Sequence, residues 1–273
     1  MNANISVFII TYNEERTITD CIRSVSWSND IVVLDSNSTD TTKKTVLSFP
    51  QTRFVQRAFD DFSSQRNYGL HKITFKNPWV FIIDADERCP EELAQEMAHA
   101  ANDKTKGKKS PAYLIRKKEF FQGRMMKHNT CYPVWYERLV KPKEVRFERE
   151  VHEHLVFKGK PGRLKGHIHH YPFTKGLSQW ISKHNNYSDR EALLEYSSTP
   201  RFRIRELMSK NAPKRRNAMK AFSRKLPCRW VFYLFYNLFF RLAFLDGIPG
   251  IHFLFLKTWY EFIISQKVAE LRG

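Results

Sequence analysis

The chain has 273 residues, of which 42% are hydrophobic, and this composition supports a sizeable core and excludes a disordered protein. Its 46 Lys and Arg against 28 Asp and Glu give a formal net charge of +18, which favours an anionic partner: nucleic acid, an acidic lipid surface or a phosphorylated substrate. Four scattered cysteines without a CxxC pair, no secretory signal and no uninterrupted apolar run of spanning length predict a reduced cytosolic protein.

The first hundred residues alternate strand and helix signals. Short aliphatic runs at 5–10 (ISVFII), 31–35 (IVVLD) and 79–86 (WVFIIDAD) predict strands, and the segments between them predict helices. That order predicts a parallel sheet. Polar clusters follow the strands at 11–14, 35–40 and 84–86, where ligands of such sheets gather.

The middle of the chain predicts a second β region and a basic surface. A helix over EELAQEMAHAA (91–101) is followed by a lysine-rich stretch and by the strand patterns YLIRKKEFF, ERLVKP and VHEHLVF. Between Lys104 and Lys127 there are nine basic residues and one acid, Glu119. This run is interpreted either as a solvated loop or as a surface that binds an acceptor.

The C-terminal region combines basic and aromatic runs. Residues 201–229 contain eleven basic residues against Glu206 alone, and WVFYLFYNLFFRLAFL, DGIPG and IHFLFLKTWYEFII follow. This combination is typical of helices that lie in a membrane interface, and the alternative is a helix pair that packs on the catalytic domain. We predict a catalytic domain over residues 1–200 and a basic, aromatic helical region over 201–273.

Four motifs occur in order in the N-terminal half: ISVFIITYNEE, IVVLDSNSTDTT, FSSQRNYGL and VFIIDADE. In sequence and spacing they resemble the family 2 glycosyltransferases. The resemblance implies an α/β fold of the GT-A (Rossmann-like) type, with a mostly parallel sheet and helices on both faces. Here it would be extended by C-terminal amphipathic helices that associate with a membrane. It also implies sugar transfer from a nucleotide diphosphate sugar.

The acids of VFIIDADE suit the leaving group of such a reaction. Negative charge grows on the diphosphate as the glycosidic bond breaks, and a divalent cation, Mn or Mg, would stabilise it. Hard cations take oxygen ligands, which the carboxylates of Asp84 and Asp86 can supply at the strand end. By resemblance Asp86 is the direct metal ligand, and Asp84 lies near the ribose or a metal-bound water. The alternative is an acidic turn that caps the helix beginning near Pro90, and Glu87 could belong to that turn.

The resemblance implies further donor contacts. Asp35 would hydrogen-bond the uracil ring, and Arg66 would place a fixed cation near the nucleotide. The complete set expected to bind the nucleotide sugar is Thr11, Tyr12, Glu14, Asp35, Arg66, Asn67 and Asp84.

An inverting transferase needs a general base on the acceptor side. The segment FEREVHEHLVF resembles the VHE segment of lipopolysaccharide core glucosyltransferases and of some peptide glycosyltransferases, which makes Glu153 the candidate base. Strand alternation would place Glu153 with apolar neighbours, so a turn at the strand end is needed to free it.

Histidines and one lysine complete the candidate set. His169 or His170 could complete the shell of the cation, and a separate zinc site is the alternative for the group His152, His154, His167, His169 and His170. Lys183, in a segment that also resembles the lipopolysaccharide core subgroup, is a candidate phosphate contact.

These residues predict a metal-dependent, inverting transfer of a hexose, glucose, from a UDP-sugar to a lipid-linked saccharide, the lipopolysaccharide inner core. The enzyme would be peripheral on the cytoplasmic face of the plasma membrane, held by anionic lipid, with no specific nucleic acid. The alternatives are another glycolipid, polysaccharide or peptide acceptor, a phosphohydrolase with a similar DxD strand, and a basic nucleic-acid-binding protein.

Overall fold

The computed structural model describes residues 4–103, 110–130, 132–148, 154–197, 204–209, 211–224, 226 and 228–273. The chain divides into two compact units. The first comprises Met1–Phe120 and Tyr132–Lys175, and the second comprises Phe121–Cys131 and Gly176–Gly273. The predicted boundary of the catalytic domain near residue 200 stays a prediction.

The first unit contains both strands and helices, and one short strand, Arg124–Met125, lies in the second. The strands are β1 (Ile5–Thr11), β2 (Ile31–Asp35), β3 (Thr52–Gln56), β4 (Trp79–Asp84), β5 (Glu87–Arg88), β6 (Ala112–Phe121), β7 (Arg124–Met125), β8 (Trp135–Val140), β9 (Val145–Glu148), β10 (His154–Phe157) and β11 (Gly162–His170). The first four helices are α1 (Ile18–Ser24), α2 (Thr42–Leu47), α3 (Phe62–Lys72) and α4 (Glu91–Asn102), and a short 3-10 turn covers Pro142–Glu144.

The central sheet runs in the order β3-β2-β1-β4-β8-β6-β11-β5. The strands β3, β2, β1 and β4 are parallel, β8 is antiparallel to both of its neighbours, β11 is parallel to β6, and β5 is antiparallel to β11. The sheet is therefore parallel in its N-terminal half and mixed beyond β4. A separate two-stranded sheet pairs β9 with β10.

Side chains of the parallel strands point alternately to two cores, because successive residues of a strand face opposite sides of a sheet. Val7 and Ile9 belong to the core that includes residues of α1, α2 and α4, whereas Phe8 belongs to the core that includes Leu70 of α3. Helices thus cover both faces. The predicted α/β fold is confirmed.

The helix α3 carries Arg66 and Asn67, two residues predicted to bind the nucleotide sugar, and its N-terminus is well defined. Asp61 has an extended backbone and its side chain accepts a hydrogen bond from the Ser64 N–H, which is the usual capping arrangement. The cap fixes where the helix begins and thereby which face carries Arg66.

The second unit is helical, so the predicted C-terminal helical extension is confirmed. Its helices are α5 (Leu177–Ser197), α6 (Ala212–Ser223), α7 (Arg229–Phe235) and α8 (Gly247–Glu270), with 3-10 turns at Ile204–Met208 and Ala243–Asp246 and a π-helical turn at Tyr236–Phe240. Ala192 of α5 packs against Ile264 and Val268 of α8. Among the described residues no single helix is long and apolar enough to cross a membrane. Only the pair Arg229–Phe240 and Ala243–Glu270, bent by 71°, passes that test of length and composition together.

Asp246, in the DGIPG segment, joins two parts of the second unit. Its buried carboxylate accepts hydrogen bonds from the backbone N–H groups of Lys127, His128 and Asn129 and from the Asn129 amide, at 2.9 to 3.2 Å. We expect Asp246→Ala to destabilise the protein by about 3 kcal/mol, because it leaves buried donors without an acceptor. Urea unfolding followed by tryptophan fluorescence measures this.

The matched control for that change is Asp189→Ala in the same unit. The Asp189 side chain is 56% exposed and pairs with Lys267 at 2.6 Å. Its removal should change the free energy of unfolding by only about 0.5 kcal/mol. Equal losses in the two variants would contradict the role given to Asp246.

Candidate active site

Three residues that are predicted to bind the nucleotide sugar lie together at one edge of the sheet. The register pairs Thr11 with Asp35, and Ile10 with Asp84, so β1, β2 and β4 end side by side. The Thr11 hydroxyl is buried and has no hydrogen-bond partner within the part of the chain that the structure describes. A buried hydroxyl of this kind suits contact with a bound ligand.

Asp35 is fully buried and held in one orientation. Its Oδ2 accepts from the Ser38 N–H at 2.8 Å, and the Ser38 hydroxyl also bonds the carboxylate. The same hydroxyl oxygen accepts from the Asn13 N–H at 2.8 Å. The loops after β1 and β2 are therefore joined through Ser38, which acts here as a turn residue.

Glu14 is paired with a lysine that the sequence analysis did not identify. Lys175 Nζ lies 2.5 Å from Glu14 Oε1 and donates to the Tyr12 carbonyl at 3.1 Å. Burial raises the pKa of Glu14 even though Lys175 and the Thr17 hydroxyl oppose the rise. The Tyr12 side chain is exposed. Glu14 and Tyr12 thus flank the end of β1, and their contact with a nucleoside stays a prediction.

Asp84 lies between two arginines. Arg66 of α3 is 3.3 Å from its Oδ1, and Arg138 of β8 is 2.8 Å from its Oδ2. Although burial favours the neutral acid, Arg138 and Arg66 hold the pKa of Asp84 well below its usual range. Both carboxylate oxygens are therefore committed to arginines in this arrangement. The sequence predicts Asp84 as a metal ligand beside Asp86, and that role stays a prediction.

Asp86 faces a histidine instead. Its Oδ2 lies 3.3 Å from His170 Nε2, and His170 Nδ1 lies 3.6 Å from Glu119 Oε1. Burial and Lys117 would lower the pKa of His170, but the attraction and hydrogen bond of Asp86, aided by Glu119, raise it to about 9. His169 points to the other side of β11 and packs against Phe120, with 5.0 Å between ring centroids. Of the two predicted histidines, the structure brings His170 to the acids.

The residues around Asp86 fit a cation that is shared with a substrate. Within the described residues no group of three or more His, Cys, Asp or Glu side chains is arranged to hold a metal. Mg²⁺ and similar ions commonly use one or two protein ligands, with substrate phosphates and water as the others. Asp86 could hold a cation in this way, and His170 could join it where the cation displaces the proton that the raised pKa keeps on its ring. A closed zinc site of histidines gains no support, because His167 instead pairs with Tyr132 at 2.8 Å; His152 lies outside the described residues.

Arg66 and Asn67 are tied to the small β9–β10 sheet. The Arg66 guanidinium lies 5.4 Å from the centroid of the Phe147 ring. The Asn67 amide donates to the Phe147 carbonyl and accepts from the Phe147 N–H, both at 2.8 Å. These bonds give Asn67 a structural role beside the site. Its predicted contact with the nucleotide stays a prediction.

The described structure does not test the roles of two further predicted residues. Glu153, the candidate base, lies outside the described residues. Lys183 is an exposed residue of α5 in the second unit, and its ammonium lies 5.8 Å from the Tyr187 ring centroid. Both roles remain predictions.

The structure adds charged side chains that the sequence analysis left without a role. Glu87 is fully buried and accepts from Arg138 at 2.9 Å, and Lys117 Nζ lies 3.8 Å from the same carboxylate. Arg88 donates to the carbonyls of Ala85 and Glu87. In the sequence, Lys117 and Arg138 are recognisable only as basic residues of predicted strands. That pattern does not show which acid each of them pairs with.

The model of glycosyl transferase family 2 matches residues 6–176, which is more than half of the chain. The chain belongs to glycosyl transferase family 2. The predicted family and enzyme class are therefore confirmed, and a phosphohydrolase or a nucleic-acid-binding module no longer explains the chain.

Two relatives and one solved structure illustrate the similarity. The lipopolysaccharide core biosynthesis glycosyltransferase LpsC of Rhizobium meliloti (strain 1021) is 29% identical over 72% of this chain and 74% of that protein. An uncharacterized glycosyltransferase of Rickettsia bellii (strain RML369-C) is 24% identical over 99% of this chain and 88% of that protein. The crystal structure of S. aureus TarS 1–349 in complex with UDP-GlcNAc is 16% identical, covers 100% of this chain and 92% of that chain, and has a TM-score of 0.48.

Proposed function

We propose that this family 2 glycosyltransferase moves a hexose, glucose, from a UDP-sugar to a lipid-linked saccharide of the lipopolysaccharide inner core, with inversion and with Mn or Mg. The observation that carries the donor half is the meeting of Thr11, Asp35, Asp84 and Asp86 at the carboxyl ends of three parallel strands. The acceptor half rests on the similarity to LpsC, which is a lipopolysaccharide core biosynthesis enzyme.

Each polar group has a task in this proposal. Asp35, held by Ser38, accepts from the N–H of the uracil ring, and the Thr11 hydroxyl bonds the nucleoside. Asp86, with His170 once its proton is displaced, would hold the divalent cation, and a cation there would stabilise the negative charge of the diphosphate leaving group. Arg66 adds positive charge at the same place. Glu153 removes the proton of the acceptor hydroxyl as that oxygen attacks the anomeric carbon.

A donor screen tests the nucleotide half. We expect UDP and UDP-glucose with Mn or Mg to raise the melting temperature, because a ligand at about 100 times its Kd stabilises the folded state by about 2.7 kcal/mol. GDP, CDP and dTDP sugars at the same concentration are the matched controls. Equal shifts for all nucleotides, or none for UDP, would contradict the predicted donor.

The membrane part of the proposal rests on exposed aromatic side chains of the second unit. Exposed apolar side chains around the π-helical turn and the start of α8 include Phe232 54%, Phe235 51%, Phe239 58%, Phe240 80% and Ile248 72%. Lys214 and Arg215 of α6 are exposed cations of the same unit. A unit that exposes both apolar side chains and cations suits an interface that contains anionic lipid. We propose that this surface holds the enzyme at the cytoplasmic face of the plasma membrane.

Vesicle binding tests this placement. We expect Phe239→Ser with Phe240→Ser to weaken binding to vesicles that contain anionic lipid by at least about tenfold, because two large apolar side chains no longer leave water. Leu47→Ser, at a residue of the first unit that is 58% exposed, is the control and should bind as the unmodified protein does. Sedimentation with vesicles gives the measurement. Unchanged binding of the double variant would contradict the interfacial role.

A further inference from the structure

Glu87 lies in the middle of the acidic cluster but is inaccessible to a ligand. It is fully buried, and both of its carboxylate oxygens are used. Oε2 accepts the backbone N–H of Asp84 at 2.9 Å, and Oε1 accepts from Arg138 Nη2 at 2.9 Å. Glu87 therefore contacts the backbone of Asp84 directly. It is connected to the side chain of Asp84 through one intermediate residue.

Arg138 is that intermediate. In the antiparallel pairing of β4 with β8, Phe81 is opposite Leu139, so the residue before Leu139 lies beside the end of β4. The Arg138 side chain is 5% exposed. Its Nη2 joins Asp84 Oδ2 at 2.8 Å and Glu87 Oε1 at 2.9 Å. One guanidinium nitrogen thus connects the two carboxylates.

The carboxylates of this cluster need a compensating positive charge. Three acids, Asp84, Asp86 and Glu87, occur within four residues. Like charges at this separation repel strongly where little water screens them, and a buried carboxylate is costly unless it is paired. Arg138, with Lys117 at 3.8 Å from Glu87, supplies the compensating charge. Removal of either cation would let the turn that carries Asp86 relax away from its position.

We propose that Glu87 and Arg138 are positioning residues that hold Asp84, and with it the turn bearing Asp86, in the geometry that binds the donor. Glu87 anchors the backbone and Arg138 anchors the carboxylate. Neither touches the donor. This inference rests on the proposed function only in naming the donor as a UDP-sugar.

The test compares Arg138→Met, Arg138→Lys and Glu87→Gln. With Mg present, we expect the Kd of UDP to rise by about 10- to 100-fold in Arg138→Met, the range found when a residue supporting a metal ligand is lost. Arg138→Lys should recover part of the affinity because it restores the charge. Glu87→Gln should weaken UDP binding and lower kcat, since the amide attracts the guanidinium less. Isothermal titration and steady-state kinetics supply the values.

The control is a buried ion pair in the second unit. Arg229 is 7% exposed and lies 2.5 Å from Glu195, which is 6% exposed. Arg229→Met should lower the melting temperature as Arg138→Met does, but leave the Kd of UDP unchanged. If Arg138→Met lowers the melting temperature but binds UDP with a Kd within about twofold of that of the unmodified protein, the positioning role is wrong.

Hydrogen exchange separates this inference from the proposed function. The Asp84 N–H donates to Glu87, so its exchange should quicken by about tenfold or more in Glu87→Gln and Arg138→Met, with no ligand present. If the unmodified protein binds no UDP, the donor proposal fails and the exchange result alone decides the positioning role. Unchanged exchange over residues 84–88 in both variants would overturn it. Should Arg138→Met not fold, Arg138→Lys and Glu87→Gln carry the test.

Discussion

Asp86→Ala should lower the rate of sugar transfer by about 100- to 1,000-fold, the loss expected when one group that stabilises developing charge is removed. Asp86 is the acid that faces His170, at 3.3 Å, whereas Asp84 is engaged by Arg66 and Arg138. The variant should also lose its response to added Mn or Mg. Transfer assays with and without excess chelator measure both effects.

Two further results make this experiment specific. His170→Ala should reduce the response to the cation as well, since His170 is the second proposed ligand, while His169→Ala should not, because His169 packs against Phe120. The two histidines are neighbours on one strand, so they are a matched pair. Full turnover by Asp86→Ala, or by the unmodified enzyme in excess chelator, would exclude the metal role.

Glu153→Gln should abolish most of the transfer activity and keep donor binding. A general base contributes about 100- to 10,000-fold to the rate, and an amide of the same size cannot accept the proton. The Kd of UDP should not change, because the base acts on the acceptor. Single-turnover transfer and isothermal titration separate the two quantities.

Two other acids of the first unit serve as comparisons for Glu153. Glu148→Gln, at an exposed residue of β9, should leave the rate unchanged. Glu119, which lies 3.6 Å from His170, is the competing candidate among the described residues. If Glu119→Gln loses transfer while Glu153→Gln retains it, the assignment of the base is wrong and moves to Glu119.

Much of the first unit was predictable from local pattern. The runs that end in Thr11, Asp35 and Asp84 are continuous apolar segments, and a strand buried on both faces needs such a run. Their polar ends were expected to meet because parallel strands end at the same edge of a sheet. The mixed half of the sheet was harder, because nothing local in β6, β8 or β11 specifies which strand is its neighbour.

Local sequence patterns also do not show which partner an individual side chain contacts. The nucleotide contact of Asn67 stays a prediction, but no local motif indicates that the backbone of Phe147, 80 residues away along the chain, bonds both atoms of its amide. The sequence leaves Glu87 unassigned, with an acidic turn as one alternative, whereas the structure shows it fully buried and neutralised by Arg138 from a neighbouring strand. Neither partner lies within the reach of a local motif.

By itself the sequence determined the family, the α/β class, the helical C-terminal region and the set of acids at the strand ends, because these depend on local periodicity and on motifs in a set order. Only the tertiary structure decided that His170 rather than His169 approaches Asp86, that Arg138 and Arg66 share Asp84, and that Glu87 is an internal anchor. Those choices depend on strand register, where a shift of one residue turns every side chain to the opposite face.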